Sequence, residues 1–139
     1  KNVAVSRFIN YLMKDGEKSI AEKVLYNAFD EIKKESKNDS LEVFEKAMAN
    51  VAPSVEVVSQ RVGGANYQIP REVRQDRRFI LAARWIIEAA RSKKGVPMAK
   101  KLAGELMAAS NNEGEAIKKK QNTHRMAEAN RAFAHFARR

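Results

Sequence analysis

Between Val55 and Arg78 the chain reads VEVVSQRVGGANYQIPREVRQDRR, and the helical spacing of apolar residues that governs the sequence on both sides is lost there. β-Branched residues crowd the first half of this stretch. Gly63-Gly64 supplies the positive φ angles that a two-residue hairpin turn needs, and Pro70 is expected to end the return strand. A chain that is helical before and after such a segment is constrained to pack its helices around a core and to let the hairpin stand out from them.

The flanking periodicity predicts six helices. Val5, Phe8, Ile9, Leu12 and Met13 fall at helical spacing within residues 3–14, and Ile20, Ala21, Val24, Leu25, Ala28 and Ile32 do so again after a tight break at Gly16. The polar stretch SKNDS at 36–40 ends the second helix, and Asp39 with Glu42 three residues on has the form of a capping box for a third that carries Phe44, Ala47, Met48 and Val51. Pro53 closes it. A fourth helix is expected from about Arg74 to Ser92, burying Phe79, Ala83, Ile86, Ile87 and Ala90, with Trp85 as a core anchor. Gly95 and Pro97 punctuate the chain before a fifth helix built on Leu102, Leu106 and Ala109 that runs to Asn112. After Gly114 a sixth is expected to turn Met126, Ala129, Phe133 and Phe136 inward. The fold class is therefore mainly α, a single domain over residues 1–139 of about six helices, with a protruding β-hairpin between the third and fourth. An apolar share of 44% is ample for one core.

Charge is distributed unevenly over this frame. Residues 1–54 hold nine Lys+Arg and nine Asp+Glu, whereas 55–139 hold eighteen and eight, so the whole net charge of +10 lies in the last 85 residues. So one-sided a basic balance suits a phosphate polymer, because each neutralised phosphate releases condensed counterions. Arg77, Arg84 and Arg91 recur every seven residues, which keeps them within roughly 40° of one line on a straight helix, with Arg74 and Arg78 at its start. That stripe is either a nucleic-acid surface or a solvated face on which Glu88 pairs Arg84 or Arg91. The run Lys118-Lys119-Lys120 and the acid-free group Arg91, Lys93, Lys94, Lys100 and Lys101 favour the first reading, since a merely soluble surface intersperses its signs.

Other chemistry finds little support. With no cysteine, disulfides, thiolate nucleophiles and thiolate metal sites are excluded together. The glycine pair lies between strands and outside any GxGxxG or GxxxxGK pattern, so it does not read as a phosphate loop. His124 and His135, placed on one expected helix, stand about 16 Å apart along its axis and do not share a metal ion; both read as surface or interface hydrogen-bonders. No catalytic set, metal site or cofactor is expected. Tyr67 could stack on a base, but such a residue more often packs its ring against the base of its hairpin with the hydroxyl in water. No apolar run reaches the ~18 residues of a membrane span, and no secretory signal opens the chain. The start at Lys1 rather than Met implies processing or a beginning partway into a longer protein.

The stretch VEVVSQRVGGANYQIPREV, followed by the RR and LAARW of the fourth helix, then KLAGEL and THRMAEANRAFAH, resembles the family of the seventh protein of the small ribosomal subunit in its bacterial and organellar form. The resemblance covers nearly the whole chain in the right order. It implies a six-helix fold with a long hairpin between the third and fourth helices, a ribosomal location in the cytoplasm or an organelle matrix, and no enzymatic activity. It also implies direct binding to the 3′ major domain of small-subunit ribosomal RNA and nucleation of subunit-head assembly. Exit-site transfer RNA, messenger RNA and neighbouring small-subunit proteins are the further implied partners.

Carried over position by position, the family's RNA surface falls on Arg7 and Lys14 of the first helix, Arg61, Gly63 and Gly64 of the hairpin, and Arg74, Arg77 and Arg78 of the fourth helix. In the last helix it falls on Lys118, Lys119, Arg125 and Arg131. Arg84 and Arg91 join this set through the helix stripe. The chain departs from the family at Val58 and Gln60, where a Lys or Arg is usual, and at Gln75, where Pro is usual. Its ending Phe136-Ala137-Arg138-Arg139 stands where an Arg-Trp ending is usual, and the basic arm typical of the family does not precede Lys1. A helical DNA-binding or nucleoid-type protein is the alternative that the same charge map permits.

Overall fold

A computed structural model describes residues 2–138; Lys1 and Arg139, and with Arg139 the last position of the atypical ending, lie outside the described residues. The elements run α1 (Val3–Leu12), α2 (Lys18–Ser36), α3 (Ser40–Val51), β1 (Val55–Val62), β2 (Ala65–Glu72), α4 (Gln75–Arg91), α5 (Met98–Ser110) and α6 (Glu115–Ala129), followed by a 3-10 segment over Arg131–Arg138. The expected architecture is present: helices around a common core, with a hairpin between the third and the fourth.

α5 is the axis of the packing. Leu102, Ala103, Leu106 and Ala109 are fully buried, and α2, α3, α4 and α6 all lie against this helix. The small side chains of its sequence MAKKLAGELMAAS let several neighbours approach at once. Each fully buried leucine stabilises the fold by about 1.5–3 kcal/mol. α1 contributes Val5, Phe8, Ile9 and Leu12, its first turn capped by the Asn2 side chain, which accepts from the Val5 N–H at 3.0 Å. Phe8 meets Phe44 of α3 edge to face at 5.3 Å. α2 ends on Lys37 in the left-handed region, its N–H bonded to the Lys33 carbonyl, with Lys33 and Lys34 favourably placed in the last turn. Asp39 occupies the cap of α3 as expected, but its carboxylate makes no capping hydrogen bond. The neighbouring Ser40 hydroxyl instead donates to the Phe29 carbonyl, tying α3 to α2.

The hairpin is antiparallel from Val55↔Glu72 to Val62↔Ala65, so Gly63 and Gly64 form the two-residue turn, with φ of 58° and 87°. Eight residues per strand carry the tip about 27 Å from the base. Pro70 does not end the return strand: it lies inside β2 opposite Val57. A two-stranded sheet leaves one edge of each strand open, and at such an edge a missing N–H costs no ladder bond. Only the base is buried, at Glu56, Ile69, Pro70 and Val73.

The C-terminal end departs from expectation. α6 buries Ala116, Ile117 and Ala127, whereas Met126 is half exposed and Ala129 faces solvent. The helix stops at Asn130, and Phe133 and Phe136 pack on Tyr67 of the hairpin instead of on the helical core. His124 and His135 consequently sit on different elements.

One buried carboxylate sets where α6 begins. Glu105 of α5 is completely inaccessible, and its Oε2 accepts from the Ala116 N–H at 3.0 Å, in the first turn of α6, where the helix dipole favours a negative group. Its Oε1 makes no hydrogen bond but lies 3.4 Å from the Lys93 ammonium, which supplies the compensating charge. Gly114 is the residue this arrangement demands. Its φ is 97°, and a Cβ there would lie 2.8 Å from Glu105 Oε2 and 3.1 Å from the Ala108 Cβ. Gly114→Ala is therefore expected to lower stability by about 2–4 kcal/mol. Gly95→Ala, at a similar φ of 93° but with nothing within 4 Å, should cost only the backbone share, about 1 kcal/mol. Urea titration of the two variants checks this, and equal losses would show that the carboxylate does not constrain the turn.

Candidate nucleic-acid interface

The hairpin is fastened to the helical body by charge. Glu56 of β1 receives Arg77 of α4 through two bonds, Nε to Oε2 at 2.9 Å and Nη2 to Oε1 at 3.1 Å, and Arg71 Nε at 3.2 Å. A fork of this kind matches carboxylate geometry and fixes the angle between β1 and α4. Burial pushes the Glu56 carboxyl up, but hydrogen bonds and charge from Arg77, then Arg71, more than offset it and hold the group below the usual carboxylate value. Next to this contact the Val73 N–H donates to the Ser54 carbonyl, and Arg78 Nε donates to the Val73 carbonyl at 2.9 Å. On the α6 side, His124 Nε2 accepts from the Ser54 N–H at 3.2 Å. Burial, and then the charge of Lys120, lower the pKa of His124 and favour the neutral ring that this acceptor role requires.

The helix stripe exists, because between Leu81 and Ala90 only Arg84 and Glu88 reach solvent. Its three arginines nevertheless have different tasks. Arg77 is engaged with Glu56, Arg91 Nη2 donates to the Leu12 carbonyl at 3.0 Å, and Arg84 has no partner among the described residues. Glu88 pairs neither Arg84 nor Arg91; it lies 4.0 Å from Lys119 of α6, whose ammonium also sits over the Trp85 ring at 5.9 Å. Trp85 is buried, as expected of a core anchor.

The lysine run is less open than it reads. Lys118 pairs Glu115 at 3.2 Å, Lys119 faces Glu88, and Lys120 donates to the Asn50 carbonyl at 2.8 Å. Arg131 pairs Glu128 at 3.1 Å, and Arg125 donates to Asn122. Such exposed pairs are worth about 0–1 kcal/mol and exchange readily for a phosphate, but they leave α6 closer to neutral than its sequence suggests.

Arginines with no carboxylate partner gather at the start of α4. Arg7 of α1 lies over the Phe79 ring at 4.2 Å and shares a groove with Arg78, Gln75, Asp76 and Met48. Arg74, Arg77 and Arg71 line the adjoining groove with Glu56, Glu72 and Asp76. No side chain caps α4, whose cap position is Arg74, so the unpaired N–H groups of its first turn add to the positive field there. Arg61 stands exposed beside the glycine turn. Lys14 and Arg91 form a separate group with Glu17 near the other end of α4, about 21 Å from Arg77 along the helix. The expected residues thus fall into four places: the α4 start with the hairpin, Arg84 alone on the middle of α4, the α4 end, and α6, with Arg131 not in that helix as expected but just beyond it in the 3-10 segment. Arg71 and Glu56, which shape the first of these, carry no marker in the sequence beyond their place in a strand.

Residues 1–131 match the family described as Ribosomal protein S7p/S5e. The chain belongs to that family. Small ribosomal subunit protein uS7 of Thermotoga neapolitana is 62% identical over 135 residues, covering 97% of this chain and 87% of the relative. The proteins of the same name from Anaeromyxobacter sp. strain K and Beijerinckia indica are each 55% identical, covering 95% and 97% of this chain and 85% and 86% of their own lengths. Among the described residues no group of His, Asp and Glu is placed to hold a metal ion, and no helix is long and apolar enough to cross a membrane.

The Glu56 contact generates a pH test. A carboxylate whose folded pKa is depressed contributes stability that is complete above its unfolded value, about 4.5, and is lost as pH falls through the lower folded value. Glu56→Gln is expected to cost about 1–2 kcal/mol near pH 7, and its Tm deficit should shrink as pH falls below about 4. A deficit independent of pH would assign the loss to packing.

Proposed function

We propose that this protein is a structural component of the small ribosomal subunit that binds ribosomal RNA directly, using the arginines around the start of α4, at the base of the hairpin, as its main phosphate surface. Family membership across residues 1–131 supports the ribosomal role. The observation that carries the surface assignment is the convergence of Arg7, Arg74 and Arg78, none with a carboxylate partner, on an uncapped helix N-terminus. Phosphate contacts of this kind position a protein on folded RNA, and the hairpin projecting from the same end adds a shape-reading element. Within this reading Arg77 acts mainly through Glu56, aiming the hairpin, and Lys118, Lys119, Arg125 and Arg131 form a secondary surface that becomes available as their weak pairs open. Lys14 and Arg91 supply a third contact.

The finer role is inferred from the family resemblance. The 3′ major domain is the proposed primary site, with nucleation of head assembly as its consequence, and the hairpin tip reaches towards exit-site transfer RNA and messenger RNA. The protein acts within the ribosome, in the cytoplasm or an organelle matrix, and performs no catalysis. Duplex DNA is the competing ligand, and preference for folded 3′ major-domain RNA over duplex DNA at matched salt distinguishes the two.

Arg74→Ala with Arg84→Ala removes two exposed, unpartnered cations. The pair is expected to weaken RNA binding about tenfold or more and to reduce the slope of log affinity against log salt by about two, with stability changed by less than about 0.5 kcal/mol. Filter binding across a salt series with thermal denaturation checks it, and unchanged affinity would move the primary surface to α6. Trimming Arg61–Asn66 to a two-glycine turn, which spares Tyr67, should leave head assembly intact while accelerating transfer RNA loss from reconstituted subunits; Gln60→Arg should slow that loss through a charge-assisted phosphate bond. Failed assembly with normal transfer RNA retention would place the hairpin in the primary RNA site.

A further inference from the structure

The chain between Glu115 and Arg138 contains neither Gly nor Pro, and Ala and Arg dominate its end, so its local preference is for one continuous α-helix. The structure breaks that helix at Asn130 and winds Arg131–Arg138 as a 3-10 segment, twice the length at which such runs are usual. What the break achieves is specific. With three residues per turn, Phe133 and Phe136 come into line, their rings stacked at 6.3 Å and 16°, and both reach Tyr67 of β2, at 5.0 and 5.3 Å. His135 adds a fourth ring, 4.0 Å from Phe136. In a continued α-helix the same phenylalanines would instead extend the line of Met126 and Ala129, at offsets of three, seven and ten residues. Those two residues face solvent here.

We propose that residues 130–136 are a two-state latch: docked on Tyr67 as a 3-10 segment, they hold the outer hairpin, and undocked they join α6 as continuous helix and release it. Two packings of one sequence compete, local helix preference against an aromatic cluster, and neither has the depth of the core. Tyr67 pairs with Gln60 across the ladder, one step from Arg61, so the latch acts on the part of the hairpin that has no other support. Any ligand with greater affinity for one state shifts the equilibrium by that difference. The proposal stands apart from the ribosomal role and concerns the free chain.

The test is NMR and amide exchange on the full chain, with Tyr67→Ala and, separately, Phe133→Ala; neither residue belongs to the main core, so both variants should fold. In the unsubstituted protein, ring contacts between Tyr67 and Phe133 are expected, with i to i+3 connectivities over 131–136. Either substitution should extend the α-helical connectivities of α6 beyond Asn130 and speed exchange at Gln60–Asn66 about three- to tenfold, while Leu102–Ala109 remain protected. The latch is refuted if 131–136 keep their 3-10 pattern in Tyr67→Ala, if they lose structure instead of joining α6, or if hairpin exchange does not change.

Discussion

The carboxylate of Glu56 lies between the guanidiniums of Arg77 and Arg71, and that contact determines where the hairpin points. Two isolated strands are marginal in water, and this pair has almost no apolar surface beyond Ile69 and the residues beside it. Its direction has to come from the base. Glu56 ties it to α4, the Ser54 N–H to His124 ties it to α6, and Tyr67 ties its middle to the C-terminal segment. The first contact is charge-assisted and bidentate, so it resists rotation in a way that a single hydrogen bond does not.

The same contact explains how a chain with a net charge of +10 folds without scattering its cations. Glu115 and Glu88 sit beside lysines and Glu128 beside Arg131, and the two buried acids hold structure together, Glu105 at the start of α6 and Glu56 at the hairpin. Among the described residues Arg7, Arg61, Arg74, Arg78, Arg84, Arg91 and Arg125 remain with no carboxylate within 4 Å. Four of these seven are at the end of the molecule from which the hairpin projects or on the hairpin itself, which sets uncompensated charge beside a projecting shape.

Much of this was legible in the residues. The glycine pair announced a two-residue turn because few other sequences accept two positive φ angles in succession. The helices followed from apolar spacing, and the family from motifs such as RVGGANYQ. What escaped the sequence were contacts between distant segments. Glu56 carries no mark of its role in the sequence, because its partner Arg77 lies 21 residues on. The lysine run looked unbroken because the acid nearest Lys119 belongs to another helix. Pro70 was read as a stop although an open edge tolerates it. The end of α6 was read as helix because propensity favours helix there, and only Tyr67 opposes it.

Arginine protection measures the central claim most directly. The chain is treated with an arginine-selective dicarbonyl, free and bound to 3′ major-domain RNA, and modified sites are read by mass spectrometry. The account predicts strong protection of Arg7, Arg74 and Arg78, weaker protection of Arg125 and Arg131, and no equivalent pattern with duplex DNA at the same salt. Protection confined to Arg125 and Arg131, or the same pattern with DNA, would contradict it.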